Sequence, residues 1–300
     1  MKLNNFSNIK KAVIPVAGLG TRFLPFSKAV PKEMINLVNK PAIEYIAESA
    51  ANSGIEDIIF IVSNYKKAIE DHFSYHYELD ERLKADGKED LLKLSQSPAK
   101  LANFVYINQK EIKGNGHAVL CAKSAVGKEP FIVSFGDEYI DSEIPYFKQM
   151  MNAYEKFKTP IAASIVVNKE DVSRYGIIEG QKVSDRVWKI TRMVEKPSPE
   201  ETDSRLAATG CYVLTPEIFE ILETMDAGKG GEYWLSDAVN IYLEKNPVHS
   251  LEFRAEERFD TGNISEYIRS FVHFSEKDPN TKGLIEKYLA EEHKEKKINL

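Results

Sequence analysis

Short apolar runs of strand length alternate along this chain with segments whose apolar residues recur every three or four positions, the pattern of an α/β protein. Residues 11–16, 58–62, 104–107 and 131–135 read as strands. Residues 42–53 read as a helix with Ile43, Ile46, Ala47 and Ala50 on one face and Gly54 as its stop, and a second helix opens at Gly114-Asn115-Gly116-His117-Ala118 and runs to about residue 125. Between residues 66 and 96 the chain is strongly polar and helical. From Ile161 the character changes: 161–167, 176–179, 187–193 and 209–214 are short strands separated by turns, expected to extend the sheet in antiparallel or mixed fashion and to build the other wall of a cleft. Helices resume at 216–222 and 235–243, a late strand covers 248–253, and Phe259-Asp260-Thr261-Gly262-Asn263 leads into a helix that buries Tyr267, Ile268 and Phe271. The tail, 282–300, reads as an amphipathic helix, free at its end or packed on a partner subunit. The expected fold is α/β: a Rossmann-like, mixed but mostly parallel sheet flanked by helices, with an added antiparallel region and C-terminal helices.

Composition narrows the class. Of 300 residues, 43% are hydrophobic and 29% charged, the balance of an ordinary globular protein. A formal net charge of −6 argues against a nucleic-acid binder, so any positive potential must be local. Cys121 and Cys211 cannot make a disulfide framework and read as inert core residues. No apolar signal core opens the chain and no run reaches membrane-spanning length, so we expect a cytoplasmic protein with no membrane partner.

The first strand breaks into Ala17-Gly18-Leu19-Gly20-Thr21-Arg22-Phe23-Leu24-Pro25, followed by Pro31-Lys32-Glu33-Met34. Glycines directly after a strand let the backbone approach a ligand, and successive N–H groups there form an anion-binding concavity. Arg22 and Lys32 bring two positive charges to the same place, so the loop suits a polyphosphate. A dinucleotide fingerprint would need a third glycine where Phe23 stands and an acidic residue about 20 positions on, whereas the second strand ends in Ser63-Asn64. No Gly-Lys-Ser/Thr follows to make a Walker loop.

This double motif resembles the signature of the nucleoside-triphosphate sugar-1-phosphate nucleotidylyltransferases, over a span from about Lys10 to the end of the chain. The resemblance implies transfer of a uridylyl group from UTP to glucose 1-phosphate, with thymidylyl transfer or another hexose 1-phosphate as the nearest alternative. A non-catalytic nucleotide-sugar-binding paralogue is the alternative from a different class. Such a reaction needs no general base, because the attacking phosphate is already anionic. It needs two polyanions brought together by positioned cations and Mg²⁺, hence basic residues plus a carboxylate pair for a hard metal.

Asp137 and Asp260 are the expected metal pair, with Arg22, Lys32, Asp137 and Lys196 as the catalytic set. The cluster Asp137/Glu138/Asp141 lies at a strand end, and the resemblance, which puts an acid after the central strand at position 137, selects Asp137 over Glu138 and Asp141; it likewise implies that Asp260 belongs to a Phe-Asp-x-Gly-Asn element, here Phe259–Asn263. The resemblance assigns Ala17, Gly18, Gly20, Glu33, Gln109 and Gly116 to the nucleotide; the Gln109 amide offers a donor and an acceptor to a uracil or thymine edge. His117 is expected to make a structural bond. For the sugar phosphate, it assigns Glu195 and Lys196 of Glu195-Lys196-Pro197, Gly176 after Tyr175, and Gly210 after Thr209. The chain departs from the family pattern at Asn115, Cys211 and Tyr233-Trp234. The expected organisation is a nucleotidyltransferase domain over 9–273, divided into a nucleotide-binding part at 9–160 and a sugar-phosphate-binding part at 161–262, with a helical tail at 274–300 in a homodimer or homotetramer.

Overall fold

A computed structural model describes residues 9–298, with side chains through residue 291. The first strand, β1 (Lys11–Pro15), is followed by the Gly18–Lys32 loop, a two-residue hairpin of β2 (Asn36–Leu37) and β3 (Lys40–Pro41), and helix α1 (Ala42–Asn52). Helix α1 buries the expected face of Ile43, Ile46, Ala47 and Ala50, and the chain leaves it through Gly54 at φ +93°, a conformation that favours glycine. Strand β4 (Asp57–Val62) pairs parallel to β1. The polar stretch then forms α2 (Lys67–His72), α3 (Tyr77–Ala85) and α4 (Glu89–Gln96) before β5 (Asn103–Asn108) pairs parallel to β4. Helices α5 (Asn115–Cys121) and α6 (Lys123–Val126) lead to β6 (Phe131–Ser134), parallel to β1.

Two elements escaped the sequence reading on either side of residue 140: the three-residue strand β7 (Glu138–Ile140) and helix α7 (Tyr146–Phe157), which buries Tyr146, Phe147, Met150 and Met151. Strands β8 (Ile161–Val166), β9 (Gly176–Ser184), β10 (Val187–Glu195) and β11 (Leu206–Leu214) follow, then α8 (Glu217–Thr224), α9 (Leu235–Leu243), β12 (His249–Glu252), β13 (Arg258–Asp260), α10 (Ile264–Lys277) and α11 (Leu284–Ile298). Helix α10 runs through residue 273, so the tail drawn from 274 begins within it.

One nine-stranded sheet, in the order β5-β4-β1-β6-β11-β8-β12-β10-β9, carries strands from both sides of residue 160. Parallel pairing covers β5-β4-β1-β6 and β8-β12; β11 joins β6 antiparallel, and the far edge, β12-β10-β9, is antiparallel. Strand β11 is buried along its whole length, as a central strand must be. Alternate residues feed two apolar layers: Ala12, Ile14, Ile58 and Phe60 face the α1 and α7 side, whereas Val13, Ile59 and Ile61 face the side that also holds Val119, Phe219 and Val239 from α5, α8 and α9. A third apolar group joins Phe23, Ile35, Leu37 and Ala42 to Phe259 and Phe274, tying the loop after β1 to β13 and α10. Cys211 lies in the core as expected, but Cys121 is only half-buried on α5.

Candidate active site

The loop after β1 begins the site. Gly20 adopts φ +66°, its carbonyl accepts from the Ser27 hydroxyl at 2.7 Å, and tight turns over Thr21–Phe23 and Lys32–Met34 bring Lys32 back toward the end of β6. There the Lys32 ammonium donates to Asp137 Oδ2. Burial pulls the Lys32 ammonium down, but Asp137 and Glu33 outweigh it and push it up to about 12, so it stays charged. Asp137 answers in kind: burial drives its carboxyl up, and Lys32, then Arg258, hold it below the usual range.

Asp260 reaches the same point from the opposite end of the sequence. The ribbon β7–β13 pairs Glu138 with Asp260, and Thr261 N–H donates to the Asp137 carbonyl at 2.8 Å. Asp260 Oδ1 accepts from Gly262 N–H at 2.6 Å. A Cβ added at Gly262 would stand 2.8 Å from Asp137 Oδ2 and 2.8 Å from Asp260 Oδ1, so the two carboxylates face one space that only glycine leaves open. Arg22 Nη1 approaches the Gly262 carbonyl at 3.5 Å, which puts the N-terminal cation beside the C-terminal aspartate. Burial, then the charges of Glu138 and Asp137, push the Asp260 carboxyl up to about 6.

Arg258 completes this centre, and no sequence signal marked it. It is 4% exposed, donates to Glu138 Oε2 at 3.1 Å, Asp260 Oδ2 at 3.3 Å and the Tyr175 hydroxyl at 3.3 Å, and lies over the Tyr175 ring. Glu138 is thereby committed: its Oε2 takes Arg258 and the Gly210 N–H at 3.2 Å. Asp141, the third acid of the cluster, turns away to His273 and Lys277 on α10. Asp260 has partners of its own, Gly262 N–H on Oδ1 and Arg258 and Asn263 Nδ2 on Oδ2, so what marks Asp137 and Asp260 as the pair for a cation is that their oxygens face each other across Gly262. Among the described residues, no group of three or more His, Cys, Asp or Glu side chains gathers closely enough to hold a metal alone.

Beside the loop after β1, a pocket of about 270 Å³ is lined by Ala17, Gly18, Lys32, Glu33, Gln109, Asn115 and Asp137, among others. Glu33 is 2% exposed and pairs with Lys66, also buried, at 2.7 Å; burial pushes its carboxyl up against the pull of Lys66 and Lys32. Lys66 was not anticipated; it sits in an unpatterned loop after β4. Gln109 Nε2 donates to His117 Nδ1 at 2.9 Å, so His117 makes the structural bond expected of it, and burial and Lys113 depress its basicity. Gly20 and Gly116 line neither this pocket nor the main cleft. Gly116 N–H donates to the Tyr233 carbonyl at 2.8 Å, and a Cβ there would stand 2.8 Å from that oxygen and 2.9 Å from Leu222 Cδ2, so glycine is needed for packing.

A larger cleft of about 1070 Å³ adjoins it and brings together Gly18, Arg22, Lys32, Asp137, Gly176, Glu195, Lys196, Gly210 and Asp260, with Arg174, Tyr175, Trp234, Ser236 and Arg258. Strand β10 delivers Glu195 at its end, where Oε2 accepts from Ser236 at 2.9 Å and Oε1 lies 3.5 Å from Lys196 Nζ. Lys196 takes a left-handed φ of 45°, and its N–H donates to the Tyr175 carbonyl at 3.0 Å. Gly176 and Gly210 fit by lacking a side chain: a Cβ on the first would stand 3.2 Å from Glu195 Oε2, and one on the second 2.6 Å from the Phe135 ring. Cations and carboxylates thus line one trough from the anion loop to the end of β10. That trough can hold a polyphosphate at one end and a polyhydroxyl phosphate at the other.

The chain is similar to known proteins over most of its length. A family model described as nucleotidyl transferase matches residues 11–277. A UTP–glucose-1-phosphate uridylyltransferase of Staphylococcus haemolyticus is 43% identical over 283 residues, covering 94% of this chain and 98% of that protein. Among solved structures, a UDP-glucose pyrophosphorylase complexed with UDP-glucose superposes with a TM-score of 0.82 at 37% identity, covering 90% of this chain and 100% of its own. A UTP-bound UGPase from Acinetobacter baumannii gives 0.86 at 32% identity, with 94% and 99% covered.

Proposed function

The chain belongs to the nucleotidyl transferase family, and from that premise we propose that it transfers a uridylyl group from UTP to glucose 1-phosphate, giving UDP-glucose and pyrophosphate. The observation that carries the reading is the meeting of Arg22, Lys32, Asp137 and Asp260 around Gly262, in the same cleft as Glu195 and Lys196. Each substrate is a polyanion, and their approach is opposed by charge. Lys32 and Arg22 offset the charge of the triphosphate, and Lys196 offsets that of the sugar phosphate, whose oxygen attacks the α-phosphorus while pyrophosphate leaves. Glu195, held by Ser236, is free to accept from sugar hydroxyls through the rest of its carboxylate. Gln109 and Ala17 line the pocket assigned to the base, and Glu33, locked to Lys66, gives it a rigid wall.

A hard divalent cation fits the Asp137–Asp260 pair. Mg²⁺ is commonly held by one or two carboxylates with phosphate oxygens and waters completing its shell, and the missing Cβ at Gly262 leaves the space between the two oxygens free. Bound there, Mg²⁺ would neutralise phosphate charge as a Lewis acid. The reading includes a cytoplasmic homodimer or homotetramer. It is supported by free cysteines, by the lack among the described residues of a helix long and apolar enough to cross a membrane, and by exposed Leu284, Tyr288 and Leu289 on α11. Light scattering of the purified protein reads the assembly directly.

The decisive experiment is a matrix of nucleoside triphosphates against sugar 1-phosphates with Mg²⁺, scored by pyrophosphate release. UTP with glucose 1-phosphate is expected to give the highest kcat/KM. A higher value with dTTP or with another hexose 1-phosphate would move the assignment within the family, and no release from any pair would remove the activity.

A further inference from the structure

Lys196 is the only assigned sugar-phosphate cation, yet its side chain is 41% exposed and its stem is flexible. Its near neighbour is Glu195, with Oε1 3.5 Å from the ammonium. If the ammonium closed fully onto that carboxylate, both groups would be lost to the substrate. What opposes this is Trp234: the Lys196 ammonium lies 4.4 Å from the centroid of its ring, within cation–π range. The ring is itself fixed. Trp234 Nε1–H donates to the Lys229 carbonyl at 2.9 Å, and Lys229 Nζ returns to the Lys196 carbonyl at 3.5 Å, closing a loop of contacts. The backbone just after Trp234 is pinned by Leu235 N–H donating to Asn115 Oδ1 at 2.8 Å, and Ser236, one residue on, holds Glu195. Asn115 and Trp234, two of the positions at which this chain departs from the family pattern, therefore act on the same few ångströms of structure.

Resting on the uridylyltransferase reading, we infer that Trp234 is a positioning residue of the sugar-phosphate half: its indole face shares the Lys196 ammonium with Glu195, keeps it from closing nearer than 3.5 Å onto that carboxylate and holds it over the cleft, and so sets affinity for the sugar 1-phosphate without touching the nucleotide. Tryptophan gives the strongest cation–π attraction of the aromatic side chains, and a smaller aromatic ring keeps part of it.

The test is steady-state kinetics of wild type, Trp234→Phe, Trp234→Leu, Lys196→Met and the Trp234→Leu/Lys196→Met double variant, with calorimetric titration of glucose 1-phosphate alongside. Trp234→Leu is expected to raise KM for glucose 1-phosphate by about 3- to 30-fold while leaving KM for UTP within about twofold and kcat largely intact. Trp234→Phe should recover most of that loss, and Trp234→Leu should add nothing in the Lys196→Met background. The inference is overturned if KM for glucose 1-phosphate is unchanged, if both KM values rise together, or if the two substitutions add independently. An unchanged UTP KM in Trp234→Phe also guards against loss of fold. Should wild type release no pyrophosphate from any substrate pair, the uridylyltransferase reading has failed. The titration then decides separately: weaker glucose 1-phosphate binding in Trp234→Leu, and none of that loss in the Lys196→Met background, upholds the positioning role, and equal binding rejects it.

Discussion

Asp137 and Glu138 are neighbours in sequence with opposite employment. Glu138 Oε2 is taken by Arg258 and Gly210 N–H; Asp137 instead faces Lys32 and the space beside Gly262. Asp137→Asn keeps the shape and removes the charge that a divalent cation requires, so we expect Mg²⁺-dependent turnover to fall by at least about a hundredfold, the range seen when a group stabilising transition-state charge is lost. Glu138→Gln keeps an oxygen acceptor for Gly210 and weakens only the Arg258 pair, so its loss should be smaller by about tenfold or more. Kinetics over a Mg²⁺ titration reads both; a greater loss in Glu138→Gln would mean that the neighbouring acid holds the metal. The residues alone leave the choice within this cluster open, and only the family resemblance, which puts an acid at position 137, selects Asp137. Arg258 was not legible in the sequence, because a lone arginine before Phe259-Asp260 carries no spacing signal, and its role exists only once β13 lies against β7. Lys66 is hidden for the same reason: burial against Glu33 is a property of the packed loop.

At the scale of elements, long apolar runs were legible and short ribbons were not. Strands β1, β4, β5 and β6 announced themselves as four to six apolar residues, and α1 by its periodic face and terminal glycine. Strands β7 and β13 have three residues each, too few for any period, yet they bring Asp260 to Asp137. The strands at the far edge were read short because Gly176–Ser184 and Val187–Glu195 are half-exposed and rich in charge. The contact between α9 and β10 also lay beyond the sequence, and it matters for the site. Asn240 on α9 accepts from Met193 N–H at 2.8 Å and donates to the Met193 carbonyl at 2.7 Å, replacing a strand neighbour just before Glu195 and Lys196. Asn240→Ala leaves two backbone groups without partners, a loss of about 1–3 kcal/mol. A fall of that size in urea-unfolding stability, together with a raised KM for the sugar phosphate and an unchanged KM for UTP, is the expected outcome. A variant of wild-type stability would show that water replaces the amide at no cost.

The whole molecule gathers local charge against its net charge of −6, and the carboxylates it must bury to do so set its response to pH. Asp260 is held at about 6, above the ordinary 3.8, by burial first and then by Glu138 and Asp137, against the pull of Arg258. The folded chain therefore binds this proton more tightly than the unfolded chain does. The stability this proton confers is complete below about pH 4 and is lost as pH rises through about 6, a change on the order of 1–3 kcal/mol. Catalysis runs the other way, since a cation needs the ionised carboxylate: kcat/KM with Mg²⁺ should climb with an acidic limb near pH 6. Function and stability then draw on opposite protonation states of one residue. Thermal melts in EDTA between pH 4.5 and 7.5 should show wild type losing ground to Asp260→Asn as pH rises, because asparagine carries no charge to bury. Adding Mg²⁺ at pH 7.5 should raise the melting temperature of wild type and leave that of Asp260→Asn nearly unchanged. Parallel pH curves for the two proteins, with equal shifts on adding Mg²⁺, would show that Asp260 is neither strained by burial nor engaged with the cation.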